Sequence, residues 1–320
     1  MLSEERGVNY AFYFKRSFVS GLTDIPKYLK TAITEKDLLQ AQRVFHGRGH
    51  VYEGLNHVTI DWLPPVLLIT LFAPEPNSEI EALADKLLLL FPRCKSVQLQ
   101  HRYELSGPID VIKGDMIQHL VITESNLQFN ISLGQARNTG LFLDMKNGRD
   151  WVQSQSKNKR VLNLFSYTCG FSVAAIAGLA KSVLNVDMSS PALNVGRDNH
   201  RLNQQSCDVV SFEKLNIFKS FGRLKKRGPF DLLICDPPTF QKGSVDIEKD
   251  YPKILRRLNT FMAANSMLML CLNAPELGRG FLLEHMQELA PSYQLIAEIK
   301  PPEVYAEAEG KGLTILCFKA

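Results

Sequence analysis

The 320-residue chain has no C-x-x-C pair, no internal repeat and no low-complexity tract. Its six cysteines are scattered, most of them inside apolar runs. That pattern excludes a disulfide framework and a zinc site, and reads as buried free thiols in a reducing compartment. Long apolar stretches are missing too. The longest, Val66 to Phe72, is far short of the roughly 20 residues that cross a bilayer. The first residues carry Glu4 and Glu5 and no apolar signal core, so the expected location is cytoplasmic. Charge of one sign is also scarce: a net charge of +4 permits a nucleic-acid partner without demanding one. What remains is a globular composition, 45% hydrophobic and 22% charged, with room for one large domain and a smaller one.

Glycine is sparse where one class of ligand would need it. Val161 to Phe165 reads as a short buried strand, Phe171 to Ala180 as an alanine-rich helix, and Ser182 to Val186 as a second strand ending on Asp187. Together they predict a parallel βαβ unit with a carboxylate at the mouth of its second strand. The turn between them, Ser166-Tyr167-Thr168-Cys169-Gly170, keeps one glycine, placed where a tight turn would use it. A dinucleotide fold wants three, so that backbone amides hold a pyrophosphate. S-adenosylmethionine carries an adenosine and no phosphate, and suits this turn better. An ordinary βαβ unit, with Asp187 merely opening a loop, accounts for this stretch about equally well.

A second stretch separates those readings. Phe230 to Cys235 reads as another buried strand and runs into Asp236-Pro237-Pro238-Thr239-Phe240. Two prolines cannot continue a ladder, so the strand stops at the acid. The Asp236 carboxylate and the Pro237 carbonyl are then acceptors for the edge of a planar base, with Phe240 for its face.

The segments Asn138 to Lys146 (NTGLFLDMK), Val161 to Ser172 (VLNLFSYTCGFS), Asn185 to Ser189 (NVDMS) and Asp236 to Lys242 (DPPTFQK) resemble the class I S-adenosylmethionine-dependent methyltransferases. More narrowly, they resemble enzymes that modify guanine N7 or cytosine C5 of large-subunit ribosomal RNA. The resemblance covers residues from about Gln118 onward. It implies an α/β fold, a Rossmann-like seven-stranded and mostly parallel sheet with a smaller N-terminal α+β domain. It implies a cofactor set of Thr139, Phe142, Asp144, Asn163, Phe165, Ser166, Tyr167, Thr168, Gly170, Asp187, Met188, Asn216, Ile217 and Asp236. Asp236, Pro237, Phe240 and Asn273 are the implied catalytic residues, with no metal. Relatives usually have arginine at Lys146, whose loss removes bidentate geometry. They commonly have an acid at Asn216, whose carbonyl oxygen still accepts a hydrogen bond from adenine.

Three regions are expected: a partly helical segment over 1–50, a small α+β domain over 51–115, and the methyltransferase domain over 116–320. In the first, Glu35 to Phe45 has a helical rhythm, and the basic knot Phe45-His46-Gly47-Arg48-Gly49-His50 reads as a turn rather than an RNA grip. In the second, His57 to Trp62, Val66 to Phe72 and Val97 to Tyr103 are strands. Ser78 and Glu81 form a capping box for a helix to about Leu90. Gly107 to Asp115 reads as the linker. The third opens with a hairpin, His119 to Thr123 and Leu127 to Leu133. Lys214, Lys219, Arg223, Lys225, Lys226 and Arg227 make the densest basic cluster, read as a solvated face with RNA contact as the lesser alternative.

Cytosine C5 is not nucleophilic, so its methylation needs a thiolate that adds to the ring. In the C5-modifying relatives that cysteine follows the fifth strand, where this chain has Asn273. Cys271 and Cys235 read as core. The guanine-N7 relatives also have asparagine at this place. The expectation is therefore transfer to a nitrogen of a guanine, with cytosine C5, or an RNA-binding assembly factor that retains the fold, as alternatives.

Overall fold

The computed structural model describes residues 21–29, 37–238, 240–241, 245–307 and 312–320. Tyr10 to Phe18, Thr239 and Lys242 lie outside them, and the side chain of Phe240 is likewise not described.

The N-terminal lobe is a five-stranded sheet in the order β1-β2-β3-β4-β5. Its strands are β1 (Gln42–His46), β2 (Val58–Leu63), β3 (Val66–Leu71), β4 (Ser96–His101) and β5 (Ile109–Gly114). β3 and β4 are parallel and the other neighbours antiparallel. Helices α1 (Ile25–Leu29) and α2 (Asn77–Leu90) cover one face, burying Ile60, Trp62, Leu67, Ile69, Leu83 and Leu87 against each other. Alternation along the strands sends Thr59, Asp61, Thr70 and Gln100 to the other face. Buried polar residues on a sheet face need partners, and these border a cleft.

Several expectations change here. Gln42–His46, read as part of a helix, is a strand, so the sheet runs across position 50. Gly107 to Asp115, read as a linker, contains edge strand β5. Helix α2 starts two residues early, on Pro76 as N-cap with no side-chain cap, so the Ser78–Glu81 capping box does not form.

Hairpin β6 (His119–Glu124) and β7 (Leu127–Ser132) leads through α3 (Lys146–Gln155) into the second sheet. That sheet has seven strands, ordered β10-β9-β8-β11-β14-β16-β15. The parallel strands are β8 (Arg160–Leu164), β9 (Ser182–Asp187), β10 (Val210–Lys214), β11 (Phe230–Cys235) and, beyond the two-residue pair β12 (Phe240–Gln241) and β13 (Val245–Asp246), β14 (Met262–Leu272). Strands β15 (Gln294–Glu298) and β16 (Thr314–Lys319) close it, with β16 antiparallel to both of its neighbours, β14 and β15. This is the expected mostly parallel sheet, with the strand order reversing beside β8, where open α/β sheets bind ligands. Helices α4 (Gly170–Ala177), α5 (Ser190–Leu202), α6 (Phe221–Arg227), α7 (Ile247–Leu255), α8 (Leu258–Phe261) and α9 (Gly278–Leu289) connect the strands. Among the described residues, no helix is long and apolar enough to cross a membrane.

Candidate active site

The site forms where four strands end together. Leu164, Val186, Cys235 and Leu270 share one row of the sheet. One step further lie Phe165, Asp187, Asp236 and Cys271. Asn216 and Ile217 follow β10, whose Lys214 pairs with Asp187.

The turn after β8 is strained at alternate residues: Phe165, Tyr167 and Cys169 have φ of 57°, 47° and 63°. A left-handed conformation costs an L-residue about 1–2 kcal/mol, so three in succession persist only where the surroundings hold them. The Ser166 amide donates to the Val186 carbonyl at 3.1 Å, and the Cys169 amide to the Ser166 carbonyl at 2.7 Å. Asn199 donates to the Thr168 carbonyl at 3.0 Å, and the Thr168 hydroxyl donates to the Gly140 carbonyl. Gly170, expected to supply the left-handed turn, instead opens α4 with ordinary backbone. Its missing Cβ matters for packing, because one would stand 3.0 Å from Leu141 Cδ1.

Asp187 accepts the Tyr167 amide on one oxygen at 2.9 Å and the Ser189 amide on the other at 2.8 Å. Each oxygen keeps a second lone pair for a ligand hydroxyl. Met188 beside it is exposed. Asn216 accepts the Lys219 amide at 3.2 Å. Asn163 is not at the mouth. It is 1% exposed and donates to Asn185 at 2.9 Å, which donates to Ser172, itself 2.8 Å from His200. Burial lowers the His200 pKa to about 4, so this network is neutral and braces the βαβ unit from within.

The Thr139–Asp144 loop is held by an ion pair absent from the sequence reading. Arg149 binds Glu124 through two hydrogen bonds, 2.6 and 2.8 Å, and donates to the Phe142 carbonyl at 2.9 Å. Both side chains are almost fully buried. Lys146 instead pairs with Asp150 at 2.7 Å. Phe142 projects to solvent beside Tyr167, their rings 5.7 Å apart. Asp144 has a buried carboxylate oxygen with no partner among the described residues. Burial raises the pKa of this carboxyl against the opposing pull of Arg43 and Arg149.

At the head of the D-P-P loop, burial, and then the charge of Asp144, push the Asp236 carboxyl up to about 7, opposed by Arg149. The loop is anchored by Tyr251 of α7, whose hydroxyl lies 3.2 Å from the Cys235 carbonyl and 3.1 Å from that of Cys271. Pro237 is buried. Thr139, Phe142, Asp144 and Asn273 line a cleft of about 1560 Å³ between the two lobes. Small-molecule pockets typically measure about 300–1,000 Å³, so this one is sized for more than a cofactor. The N-terminal sheet forms its other wall. There Arg43 holds Asp61 at 2.7 and 3.0 Å and lies 5.0 Å from the Tyr305 ring. Arg43 and Asp61 are direct cross-strand partners, a pairing legible only once Gln42–His46 is known to be a strand.

Of the two basic segments, one lies where its sequence reading did not put it. Arg48, read as part of a plain turn, lines the cleft. The dense cluster lies elsewhere: Arg223 and Arg227 are paired with Glu213 at 2.7 and 3.0 Å. The Arg227 carbonyl accepts from Arg160, the first residue of β8, which puts the end of α6 at the sheet edge opposite Asp236. Its solvated-face reading stands.

The edge fits an adenosyl sulfonium compound. Asp187 offers a carboxylate to hydroxyls, and the orphaned Asp144 oxygen offers an acceptor to a cation. Among the described residues no group of His, Cys, Asp and Glu could hold a metal.

Comparison with known proteins gives the same picture. Ribosomal RNA large subunit methyltransferase I of Vibrio vulnificus (strain YJ016) is 29% identical over 253 residues, 76% of this chain and 62% of that protein. YwbD of Bacillus subtilis (strain 168), whose name assigns it provisionally to the ribosomal RNA large subunit methyltransferases, is 28% identical over 92% of this chain and 80% of its own length. The chain thus spans less than two thirds of the Vibrio relative. A crystal structure of SMU.776 complexed with SAH superposes with a TM-score of 0.83 at 21% identity, covering 95% of this chain and 83% of that one. Residues 42–319 match the S-adenosylmethionine-dependent methyltransferase family. The chain belongs to that family and is an enzyme that uses S-adenosylmethionine.

Proposed function

We propose that this enzyme methylates a nitrogen of a guanine in large-subunit ribosomal RNA, in the cytoplasm. The observation that carries the choice of nitrogen is the state of its cysteines. Cys235 and Cys271, the two nearest Asp236, are fully buried, and burial drives both thiols far above their ordinary pKa. Cys169 and Cys317 are each pushed up to about 12, again by burial. Cys94 belongs to the N-terminal lobe, and exposed Cys207 precedes β10 at the opposite sheet edge. None is poised as a thiolate beside the reacting edge, where Asn273 stands instead. The names of the relatives and the size of the cleft support an RNA substrate.

S-adenosylmethionine supplies an electrophilic methyl on a sulfonium sulfur. A guanine nitrogen attacks with its lone pair, the new N–C bond forming as the S–C bond breaks and its electron pair returns to sulfur. Such a nitrogen needs no covalent activation, so the work of the chain is alignment. In this reading Asp187 holds the ribose hydroxyls, and Asn216, Ile217 and Met188 hold the adenine. Thr139, Phe142, Asp144 and the Phe165–Gly170 turn enclose the methionine end. Asp236, the Pro237 carbonyl, Phe240 and Asn273 hold the base.

Two results test it. Asp187→Ala should weaken S-adenosylmethionine binding by about 1.5–3 kcal/mol in calorimetry, the loss of charge-assisted hydrogen bonds. Unchanged affinity would remove Asp187 from the site. Cys271→Ser should keep methyl transfer, and no covalent enzyme–RNA adduct should survive denaturing electrophoresis. A folded, cofactor-bound Cys271→Ser protein without activity would favour cytosine C5.

A further inference from the structure

The cleft extends past the reacting edge to a group of cations that methyl transfer does not use. At Phe72, just beyond β3, the Arg48 guanidinium stands 4.1 Å from the ring centre and that of Arg102 6.0 Å. Arg137 reaches the same place. Its Nη2 donates to the Arg102 carbonyl at 3.1 Å, while Arg102 donates in return to the Arg137 carbonyl and lies 3.5 Å from Asn138 Oδ1. All three arginines line the cleft that also holds Asn273 and Asp144.

Two features make this more than a solvated basic surface. First, the cations are held in place. Gly47 and Gly49 flank Arg48, and a Cβ on them would stand 1.8 Å from the Leu55 carbonyl oxygen and 2.0 Å from that of Ala306. The knot is therefore pressed between its own lobe and the segment after β15, which explains its glycine spacing. Second, among the described residues the charges are not neutralised. Among the described residues none of the three forms an ion pair with a carboxylate. Burial, then the charges of Arg137 and Arg48, hold the Arg102 guanidinium below its ordinary pKa. Fixed cations that repel one another are relieved by an anion, and guanidinium forks match phosphate oxygens.

We infer that Arg48, Arg102 and Arg137, gathered at Phe72, bind a backbone phosphate of the RNA whose base enters the cleft. The inference rests on the RNA reading above and adds the place where the strand is gripped. RNA is favoured over a small phosphorylated ligand because the arginines share one continuous cleft with the reacting edge.

The test is RNA affinity against salt for the wild type, for Arg48→Gln/Arg137→Gln, and for Lys225→Gln/Lys226→Gln as a control at the far edge. Arg48 and Arg137 are both exposed, so their replacement spares the core. The arginine variant should bind a ribosomal RNA fragment at least about tenfold more weakly, through the loss of charged hydrogen bonds. Its slope of log K against log salt should become shallower by about 0.7 for each single-strand phosphate that the variant no longer neutralises. S-adenosylmethionine affinity and the lysine control should be unchanged. Equal affinity and slope for wild type and arginine variant, with RNA still bound, would overturn this inference alone. A wild type that binds no RNA would overturn the RNA reading with it. Weakened binding of guanosine monophosphate with RNA binding intact would assign the arginines to a small ligand, also against the inference.

Discussion

Asp236→Ala should lower turnover by about 10²-fold or more, the scale at which misplacing a reacting group is felt, while leaving S-adenosylmethionine affinity nearly intact. The reason lies in position. Asp236 follows β11 directly at the head of the D-P-P loop, and Tyr251 fixes the carbonyl just before it. A carboxylate there accepts from the edge of a base, and alanine leaves that edge unheld. The carboxyl pKa of about 7 gives the prediction a second readout. If the ionised form holds the base, turnover should rise with pH to a plateau. The midpoint should fall at or below about 7, since a bound sulfonium favours the anion. Asp236→Asn should abolish that limb. Stability should move oppositely. With a folded pKa of about 7 against an ordinary 3.8, the folded chain keeps a proton that the unfolded chain has lost. This contribution is present below the lower value and is lost as pH rises through the upper one. A turnover limb that survives in Asp236→Asn would assign it to another group.

The second large effect is structural. Glu124→Gln should destabilise the protein by about 3–5 kcal/mol in chemical denaturation, because it strands the buried Arg149 guanidinium. That guanidinium ties hairpin β6–β7 to α3 and to the Phe142 carbonyl. The loop carrying Thr139, Phe142 and Asp144 should loosen, and cofactor affinity should fall with it. Glu124→Met/Arg149→Met removes both charges and should recover much of the stability but not the fixed loop. If Glu124→Gln were as stable as the parent, the pair would not be the anchor described here.

The parts of this molecule legible in its sequence were those whose signal is local. The strands around Arg160 to Asp187 and Phe230 to Cys235 are short apolar runs cut off by breakers, and parallel strands buried on both faces must look so. The Asp236 corner was legible because two prolines forbid continuation. Edge strands are not marked in this way. β5 carries Asp110, Lys113 and Gly114, residues that blunt an exposed edge and also make a stretch read as a linker. β1 is five residues long, too short for periodicity to tell strand from helix. The ion pairs were illegible for another reason. Glu124 and Arg149 lie 25 positions apart, and only the docking of hairpin on helix brings them together. Gly170 signals conformational freedom at the turn, whereas Phe165, Tyr167 and Cys169 carry the left-handed backbone, imposed by tertiary hydrogen bonds that no residue type announces.

The measurement closest to the central claim is nucleoside mass spectrometry of large-subunit ribosomal RNA after incubation with the purified enzyme and isotope-labelled S-adenosylmethionine. The account predicts label in a methylguanosine whose methyl is on nitrogen, formed equally well by Cys271→Ser and not by Asp236→Ala. Label in 5-methylcytidine, lost in Cys271→Ser, would contradict it.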